Sequence, residues 1–568
     1  MISLIISFIF TFNTLLFFAA SNPSNWGWPP VNPPSGSFPW GPPFKPPPPG
    51  RVDAKTFSQC MNFVSFRDKV PFSDFYDPKI SKANFTSILN STAQNFRCLN
   101  SKIRKPLIIF RPDDESQVPP AVKCAQKYNL NMRMRSGGHD YEGLSYISLM
   151  KNQSFMILDL YNLRDVDIDP RRKTAWVQAG VTNGELYYKI SQVSKNLAFP
   201  AGLCTSLGIG GHLTGGAYGS MMRKFGLGAD NVVDVRIVDA WGIVRSKQYR
   251  NMDKDLFWAL RGGGGASFGI ILAWKIKLVT VPSKVTMFTV VKSLQTNGAD
   301  TLHQWQSIAP NLPNELFIRV IIQAIPNFTV LTIYQALYLG DAKTLASIMQ
   351  NKFPELGVKL VNCTEMSWIE SVMAIAGFGP TVTPDYLLQH QPAFQSNFFK
   401  AKSDYLKTNM SIEAINGMMN IFIEHGPPSI MIWNPYGGQM AEIPEDRTPF
   451  PHRKGVICKI QYVATWLDDK PETQLRLEDW MRRLYAYMGN YMNKNPREAY
   501  VNYRDLDIGK DPRTGSNCSD PRIWGPKYFK DNFQKLVDVK SRVDPWNFFN
   551  HEQSIPTYWT MNQCTDVI

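Results

Sequence analysis

Residues 135–146 read RSGGHDYEGLSY, and residues 201–219 read AGLCTSLGIGGHLTGGAYG. Each stretch carries one nucleophilic side chain among glycines: His139 directly follows two glycines, and Cys204 stands just ahead of a glycine run. Glycine lets the backbone approach a ligand closely, and successive free N–H groups form nests that suit a pyrophosphate. A histidine and a cysteine beside such nests can both attack an electrophilic ring.

Together the two stretches resemble flavoproteins of the vanillyl-alcohol oxidase superfamily, and within it the plant berberine bridge enzyme-like family. The resemblance runs from about Cys60 to Pro556. It implies one FAD bonded twice, through its 8α-methyl group to His139 and through C6 to Cys204. A lone histidine or cysteine is usually structural, so the prediction depends on the pair. The other expected contacts of the pyrophosphate and ring are Arg135, Ser136, Gly137, Gly138, Gly208, Gly210 and Gly211.

The pattern beyond residue 101 predicts an α+β protein. Apolar runs predict strands at 106–110, 132–135, 156–160, 175–181 and 232–239, and helical spacing predicts a helix at 118–128. Further along, strands at 328–338 and 456–466 alternate with helices, which indicates an antiparallel sheet covered by helices. The glycine run at 261–265 lacks the strand–GxGxxG–helix context of a Rossmann fold, which is therefore rejected.

The resemblance and the composition together divide the chain into five parts. The resemblance implies a two-part FAD-binding domain of the vanillyl-alcohol oxidase (PCMH) type and a separate substrate domain. The predicted parts are a signal peptide at 1–20, a proline-rich leader at 21–50, the FAD-binding domain at 51–282 with its core at about 102–280, the substrate-binding domain at 283–499, and a C-terminal segment at 500–568 that completes the FAD domain.

The strand at 457–463 places Lys459 and Gln461 on one face, because alternate side chains of a strand point the same way. By pattern alone that face is solvated. By resemblance the two residues belong to the active site, above the flavin ring. Family members that cyclise alkaloids, and cannabinoid-type members, carry a glutamate where Gln461 stands. The Lys-x-Gln pattern instead resembles the monolignol oxidoreductase branch, which oxidises cinnamyl-type alcohols to aldehydes.

Tyr503 stands at the family's catalytic-base position. A phenol titrates near pH ~10 in water, too high for an efficient base at neutral pH. A neighbouring cation favours the phenolate, and Lys459 is the candidate for that charge. The alternative is a buried tyrosine with a satisfied hydroxyl. Tyr141 and Tyr218 match positions that line the same pocket, or are packing residues.

Leu207 is the third residue after the cysteine that the resemblance bonds to flavin. In the family, a valine there accompanies oxidases, whereas a leucine crowds the approach of O2. The sequence therefore indicates a dehydrogenase, although both O2 and a quinone-like molecule remain candidate electron acceptors. His212 is expected to be packed and hydrogen-bonded rather than catalytic.

Three other functions stay open beside alcohol oxidation. An oligosaccharide could be oxidised at its anomeric carbon to a lactone by the same fold and cofactor. Oxidative cyclisation of a specialised metabolite is a further candidate, against which Gln461 counts. The third is a non-enzymatic wall protein that keeps flavin as a relic. Zinc and P-loop chemistry find no support, since HExxH and GxxxxGK[ST] are both missing, and a serine-hydrolase site is not expected.

The N-terminal region predicts export. The first 20 residues form a short apolar run that ends in small residues, typical of a cleaved signal peptide; a membrane anchor is the alternative, although the run is short and interrupted. Residues 21–50 hold 12 of the 41 prolines, which predicts an extended leader serving as a spacer or a wall-binding segment. We therefore expect a secreted protein of the cell wall or apoplast.

An exported chain can form disulfides and carry glycans. The resemblance pairs Cys60 with Cys124, whereas the sequence assigns no partners to Cys98, Cys363, Cys458, Cys518 and Cys564. Seven Asn-x-Ser/Thr acceptors are present: Asn84, Asn90, Asn152, Asn327, Asn362, Asn409 and Asn517.

The net charge of +14 is compatible with retention on an acidic wall polysaccharide or with simple solubility. Without a basic block interleaved with aromatic residues, nucleic-acid binding is not expected. We expect a monomer that acts on a small alcohol or an oligosaccharide.

Overall fold

The computed structural model describes residues 52–65, 69–100, 103–151, 153–325, 329–389, 397–425, 429–511 and 520–562. The predicted signal peptide and leader lie outside these residues, as do Asn152, Asn327, Asn517, Cys518 and Cys564. Within the described ranges, none of the helices has both the length and the apolar character that crossing a bilayer requires.

The chain forms the predicted mixture of helices and sheets. The strands are β1 Phe75–Tyr76, β2 Ile109–Phe110, β3 Asn131–Arg135, β4 Phe155–Asp159, β5 Val166–Asp169, β6 Thr174–Gln178, β7 Leu197–Ala198, β8 Val232–Val238, β9 Val244–Arg245, β10 Ile270–Lys277, β11 Val279–Thr280, β12 Val285–Ser293, β13 Leu316–Ile325, β14 Thr329–Tyr338, β15 Thr364–Met366, β16 Phe398–Leu406, β17 Ser429–Pro435 and β18 Cys458–Trp466.

The helices lie between and after these strands. They are α1 Ala54–Val64, α2 Lys82–Asn90, α3 Val118–Lys127, α4 Asn183–Val193, α5 Ile209–Thr214, α6 Met222–Phe225, α7 Lys254–Leu260, α8 Gly298–Ile308, α9 Ala342–Lys352, α10 Trp368–Ala376, α11 Ile412–His425, α12 Gln439–Glu442, α13 Pro471–Met488, α14 Pro521–Phe529, α15 Asn532–Val543 and α16 Tyr558–Asn562.

Two main sheets build the first half of the chain. One has the order β1-β2-β4-β3, in which β2, β4 and β3 run parallel. The other is antiparallel, in the order β5-β6-β10-β8-β9. The strand predicted at 106–110 is regular only at Ile109–Phe110. The Leu107 amide still donates to the Phe155 carbonyl at 2.9 Å, whereas Pro106 has no N–H to donate. The end of β3 leads directly into the first glycine-rich stretch.

The second half is built on a seven-stranded antiparallel sheet in the order β15-β12-β14-β13-β17-β18-β16. Helices α8, α11 and α13 pack on one face of it. In β18, Ile460 and Tyr462 join the apolar cluster on that helix side, so Lys459 and Gln461 point to the other face. Both are only 1% exposed. The interpretation of a solvated face is therefore wrong, because this sheet is covered on both sides.

The C-terminal segment packs back onto the parallel strands of the first sheet. Arg133 forms a buried ion pair with Glu552 at 2.9 Å, and the Asn131 side-chain amide donates to the Asn550 carbonyl at 3.0 Å. These contacts span more than 400 residues of sequence. They bring the loop that carries Tyr503 beside the glycine-rich stretches.

The disulfide joins two helices in the first half of the chain. Cys60 on α1 is bonded to Cys124 on α3, which is the pair the resemblance implies. Cys98, Cys204, Cys363 and Cys458 carry free thiols. The acceptor side chains that fall within the described ranges are all exposed: Asn84, Asn90, Asn362 and Asn409.

Candidate active site

A cavity lies between the glycine-rich stretches and the inner face of the seven-stranded sheet. The sheet contributes Arg319, Ile432 and Gln461 to its wall, and the C-terminal segment contributes residues 500–504. The predicted site residues that line it are Ser136, Gly137, Gly138, His139, Tyr141, Cys204, Leu207, Gly208, Gly210, Gly211, Tyr218, Gln461 and Tyr503.

Glycine is required at different positions of the two stretches for different geometric reasons. A Cβ on Gly137 would come within 2.4 Å of the Gly208 amide nitrogen, so the two backbones touch only because neither carries a side chain. Gly138 has a φ of +71°, which disfavours any residue with a Cβ. A Cβ on Gly211, by contrast, would meet nothing within 4 Å. Gly211 lines the open cavity, and this cradle of bare backbone fits a bulky planar cofactor.

One hydroxyl, that of Ser206, contacts both His139 and Cys204. The Oγ of Ser206 lies 3.0 Å from Nε2 of His139 and 3.5 Å from Sγ of Cys204. Burial lowers the pKa of His139 to about 4, so the imidazole is neutral at physiological pH. Burial raises the pKa of the Cys204 thiol, and hydrogen bonds from the Ser206 hydroxyl and the N–H groups of Ser206 and Leu207 oppose that rise.

Arg135 does not face the cavity, contrary to the expectation for this residue. Its guanidinium donates to the carbonyls of Ile88 and Leu89 at 2.7 Å each and pairs with Asp159 at 2.8 Å. The side chain is completely buried. Because successive side chains of a strand alternate, it is Ser136 that turns toward the cavity. Arg135 therefore anchors the first glycine-rich stretch from behind.

Lys459 lies behind the tyrosines of the wall rather than at the cavity surface. Its Nζ donates to Oη of Tyr503 at 2.7 Å. The same nitrogen is 2.7 Å from the ring centroid of Tyr218 and 4.4 Å from that of Tyr500. Three aromatic rings thus surround one amine, an arrangement that stabilises an ammonium ion.

Burial acts on Lys459 and Tyr503 in opposite directions. It lowers the pKa of Lys459 well below its ordinary value. Burial, with the nearby hydroxyls of Tyr218 and Tyr500, raises the pKa of Tyr503 well above its ordinary value. Both shifts disfavour a net charge on the pair. Taken singly, the two shifts favour an uncharged amine beside an uncharged phenol. The ammonium–phenolate pair holds the same number of protons and has three aromatic rings around its cation.

Tyr218 and Tyr141 both contact Tyr503. The hydroxyls of Tyr218 and Tyr503 are hydrogen-bonded, and burial raises the pKa of Tyr218 to about 12. The ring of Tyr141 stacks on that of Tyr503 with a centroid distance of 6.5 Å. Both side chains line the cavity, so neither is confined to the packing role that the sequence left open.

Gln461 presents an unused donor to the cavity. It pairs in register with Ile432 on β17 and Ser403 on β16, and it lines the cavity. Its Nε2 is buried and has no hydrogen-bond partner. A buried polar group left unpaired is costly, and a molecule bound in the cavity would be able to supply the acceptor.

Two cavity-lining cations were missed by the sequence reasoning. Arg319 on β13 donates through Nε to Gln335 at 2.9 Å, and burial lowers its pKa to about 10. Arg504 pairs with Asp140 at 2.9 Å, next to His139. The available signal for Arg319 was a lone cation within an apolar strand, Leu316–Ile325.

Leu207 and His212 pack together around Gly202. A Cβ on Gly202 would lie 2.6 Å from Nε2 of His212 and 3.1 Å from Cδ1 of Leu207. His212 accepts a hydrogen bond from the Gly202 amide at 2.9 Å. The histidine is therefore a packed, hydrogen-bonded residue, and Leu207 occupies the wall space beside it.

A buried charge cluster supports the segment that follows Tyr503. Lys400 pairs with Glu142 at 2.7 Å and also contacts Asp505. Lys402 pairs with Asp505 and Asp507 at 2.7 Å each. The lysines come from β16, Glu142 from the first glycine-rich stretch and the aspartates from the C-terminal segment. The cluster thereby ties together the three parts of the chain that form the cavity.

Comparison with known proteins agrees with this arrangement. Residues 106–246 match the family model of a FAD binding domain, and residues 499–556 match the model named Berberine and berberine like. The chain is 51% identical over 491 residues to Monolignol oxidoreductase AtBBE-like 13 of Arabidopsis thaliana, covering 85% of this chain and 90% of that protein.

Among the solved structures that share the fold are the following two. The first is Phl p 4, a grass pollen allergen with glucose dehydrogenase activity, at 41% identity and a TM-score of 0.81, covering 88% of this chain and 99% of that chain. An isoleucine-to-valine variant of it is described as a glucose oxidase. The second is berberine bridge enzyme from Eschscholzia californica, at 38% identity and a TM-score of 0.82, with the same coverage. The chain is thus a FAD-binding oxidoreductase that belongs to the berberine bridge enzyme-like family.

Proposed function

We propose that the protein oxidises a cinnamyl-type alcohol, a monolignol, to the corresponding aldehyde. The observation that carries this proposal is the buried contact between Lys459 and Tyr503 beside the unpaired amide of Gln461. That combination of base, amine and neutral donor suits removal of a hydroxyl proton. The 51% identity to a relative named as a monolignol oxidoreductase supports the same substrate class.

His139 and Cys204 would hold the FAD through two covalent bonds. Both line the cavity, both contact Ser206, and the open backbone at Gly211 leaves room for a ring system. The bound FAD supplies the hydride acceptor for the alcohol carbon. The protein contributes orientation and the movement of the proton.

Tyr503 takes the hydroxyl proton of the substrate. Its phenolate is available at neutral pH because Lys459 can hold the phenol proton as an ammonium among three rings. When the substrate proton reaches Tyr503, the pair gains one positive charge, which buried surroundings disfavour. That proton must therefore leave again before the next turnover. Lys459 acts through Tyr503 and is a positioning residue rather than a catalytic one.

The substrate side of the cavity combines apolar walls with a few polar atoms. Ile375, Phe399 and Ile432 line it beside Gln461 and Arg319. An aromatic alcohol with an oxygenated ring can place its ring against the apolar side chains. Its oxygen atoms then accept from the Nε2 of Gln461, which otherwise lacks a partner.

We further propose that the flavin is reoxidised by a quinone-like acceptor more readily than by O2. The wall position held by Leu207 supports this, because a larger side chain there restricts the approach of a diatomic gas. The valine variant of Phl p 4, described as a glucose oxidase, shows that in that protein a small change at one residue accompanies oxidase behaviour.

Carbohydrate oxidation is the second candidate. Phl p 4 is 41% identical and is described as having glucose dehydrogenase activity, and the base and hydride acceptor would serve a sugar hydroxyl equally well. Oxidative cyclisation is less well supported, since Gln461 stands where the family's cyclising members carry a glutamate.

Anaerobic reduction of the flavin separates these functions. Coniferyl alcohol should bleach the flavin absorbance of the intact protein within one turnover, whereas glucose, cellobiose and oligogalacturonides should leave it unchanged. Bleaching by a sugar alone would replace the proposed substrate class. Absence of bleaching with all of these compounds would count against both candidates.

We also propose that the protein is exported to the cell wall or apoplast as a glycosylated monomer. The apolar first 20 residues and the Cys60–Cys124 disulfide support export. Its positive charge supports retention on acidic polysaccharide. Deletion of residues 1–20 should keep the protein inside the cell, and elution from pectate by salt should reveal the wall interaction.

A further inference from the structure

One serine hydroxyl contacts both side chains that are candidates for bonding the flavin. Ser206 is buried to 4% exposure. Its Oγ lies 3.0 Å from Nε2 of His139 and 3.5 Å from Sγ of Cys204. His139 and Cys204 are 65 residues apart in the sequence, and the bridge arises because Gly137 and Gly208 bring the two stretches into backbone contact.

The hydrogen-bonding capacity of a hydroxyl limits how this bridge can be arranged. Serine has one hydrogen to donate and can accept as well. If the hydrogen points to the sulfur of Cys204, the oxygen accepts the Nε2–H of His139. The opposite nitrogen, Nδ1, then carries the free electron pair. In this arrangement a single hydroxyl favours the nucleophilic form of both side chains.

We propose that Ser206 is the positioning residue for both covalent linkages: it holds His139 as the Nε2–H tautomer and donates to the Cys204 sulfur. This inference rests on the proposed double attachment of FAD. The N–H groups of Ser206 and Leu207 also lie against the sulfur, so Cys204 has three donors around it when it attacks. His139 also donates to the backbone carbonyl of Ser206, a contact that Ser206→Ala keeps, so we expect removal of the hydroxyl to slow both linkages rather than abolish them.

The chemistry of the linkages balances without another protein group. At His139 an N–C bond replaces one C–H bond of the 8α-methyl group, and at Cys204 an S–C bond replaces the C–H bond at C6. Each replacement transfers two electrons and two protons to the ring system. Dioxygen or a quinone-like acceptor then takes them up, which gives one hydrogen peroxide or one hydroquinone for each linkage.

Peptide mapping of the purified holoprotein tests the inference without relying on activity. Trypsin separates His139 in residues 136–151 from Cys204 in residues 196–223. A doubly attached flavin joins these two peptides into one species, which mass spectrometry can quantify at two times after induction. Ser206→Ala should lower the rate at which this species appears by roughly 10- to 100-fold, the loss expected for one hydrogen bond to a charged group.

Two further variants make the result specific. Ser206→Thr keeps a hydroxyl and should restore the joined species. Thr205→Ala removes the neighbouring buried hydroxyl and should leave the species at its wild-type level. Equal loss in Ser206→Ala and Thr205→Ala, or failure of Ser206→Thr to restore any linkage, would overturn the specific role of Ser206.

The remaining outcomes separate the two proposals. If the wild-type digest contains no joined species, the double attachment itself is wrong. If wild type and Ser206→Ala form the joined species at the same rate, the attachment stands and only the role of Ser206 is wrong.

Discussion

The Nζ of Lys459 lies 2.7 Å from the Oη of Tyr503, and both side chains are almost completely buried. The amine is enclosed by the rings of Tyr218, Tyr500 and Tyr503 at centroid distances of 2.7, 4.4 and 4.2 Å. Such a pair can exchange one proton without changing its net charge. The proposed role of Tyr503 as a base depends on this relationship.

Lys459→Met should shift the pH profile of flavin reduction upward. In the wild type, burial lowers the pKa of Lys459, so the working pair persists until the pH falls through that lowered value. Without the amine, Tyr503 must ionise alone, and burial holds its pKa well above its ordinary value. The measurement is the limiting anaerobic reduction rate across pH by stopped flow.

The exposed lysine Lys343 on α9 provides the control for this profile. Lys343→Met should reproduce the wild-type midpoint. A shared midpoint for wild type and Lys459→Met would mean that Lys459 does not tune the base.

Tyr503→Phe should slow flavin reduction by roughly 10²–10⁴-fold, the usual contribution of general-base catalysis. Substrate affinity should change far less, because the lost interaction belongs mainly to the transition state. Single-turnover reduction at several substrate concentrations separates the two effects. Tyr334→Phe, which removes a buried hydroxyl on the helix side of the same sheet, should reduce at the wild-type rate.

Denaturation should leave the flavin attached to the protein. Acid precipitation of the wild type should give a yellow pellet, as should either His139→Ala or Cys204→Ala alone, since each retains one bond. The double variant should release its flavin into the supernatant. A colourless wild-type pellet would end the proposal of covalent attachment.

Leu207→Val should raise the rate of flavin reoxidation by O2 several-fold while changing reduction by substrate little. One methylene fewer beside Gly202 opens a path through the cavity wall. Stopped-flow reoxidation at varied oxygen concentrations measures the change. Equal rates in the two proteins would place the restriction elsewhere in the wall.

Lys400→Met should destabilise the fold by about 3–5 kcal/mol, because it leaves the buried carboxylates of Glu142 and Asp505 undercompensated. Urea unfolding of the holoprotein measures the difference. As a control, Arg172→Gln breaks an ion pair whose arginine is 83% exposed, where less than about 1 kcal/mol is expected. Similar losses in the two variants would argue against a structural role for the charge cluster.

Local patterns were sufficient for the family, the cofactor and the class of fold. The two glycine-rich stretches, the alternating strand of Lys459 and Gln461, and the segment around Tyr503 each carry their signal within a few residues. The sequence reasoning missed Arg319 because its place in the cavity wall depends on how β13 pairs within the sheet, which a single sequence does not reveal. Ser206 escaped notice because a serine among glycines is unremarkable until its hydroxyl meets two partners.

Orientation was the least predictable property. Arg135 directly precedes the lining residue Ser136 in the sequence, yet its guanidinium turns to Asp159 and two carbonyls. Lys459 shares a face with Gln461, yet only Gln461 reaches the cavity surface, since Tyr218 and Tyr503 cover the amine. Periodicity assigns a face, whereas neighbouring elements decide what that face meets.

The sequence by itself determined the oxidoreductase family and the FAD-binding α+β fold, because the motifs that carry the resemblance to that family are short-range properties of the chain. Tertiary structure alone decided that the His139 and Cys204 stretches touch through Gly137 and Gly208, and that Tyr503 meets an amine 44 residues away in the chain. Burial, which lowers the pKa of Lys459 and raises that of Tyr503, is likewise a property of packing. The reason is physical: charge, solvation and contact depend on which distant segments exclude water from one another.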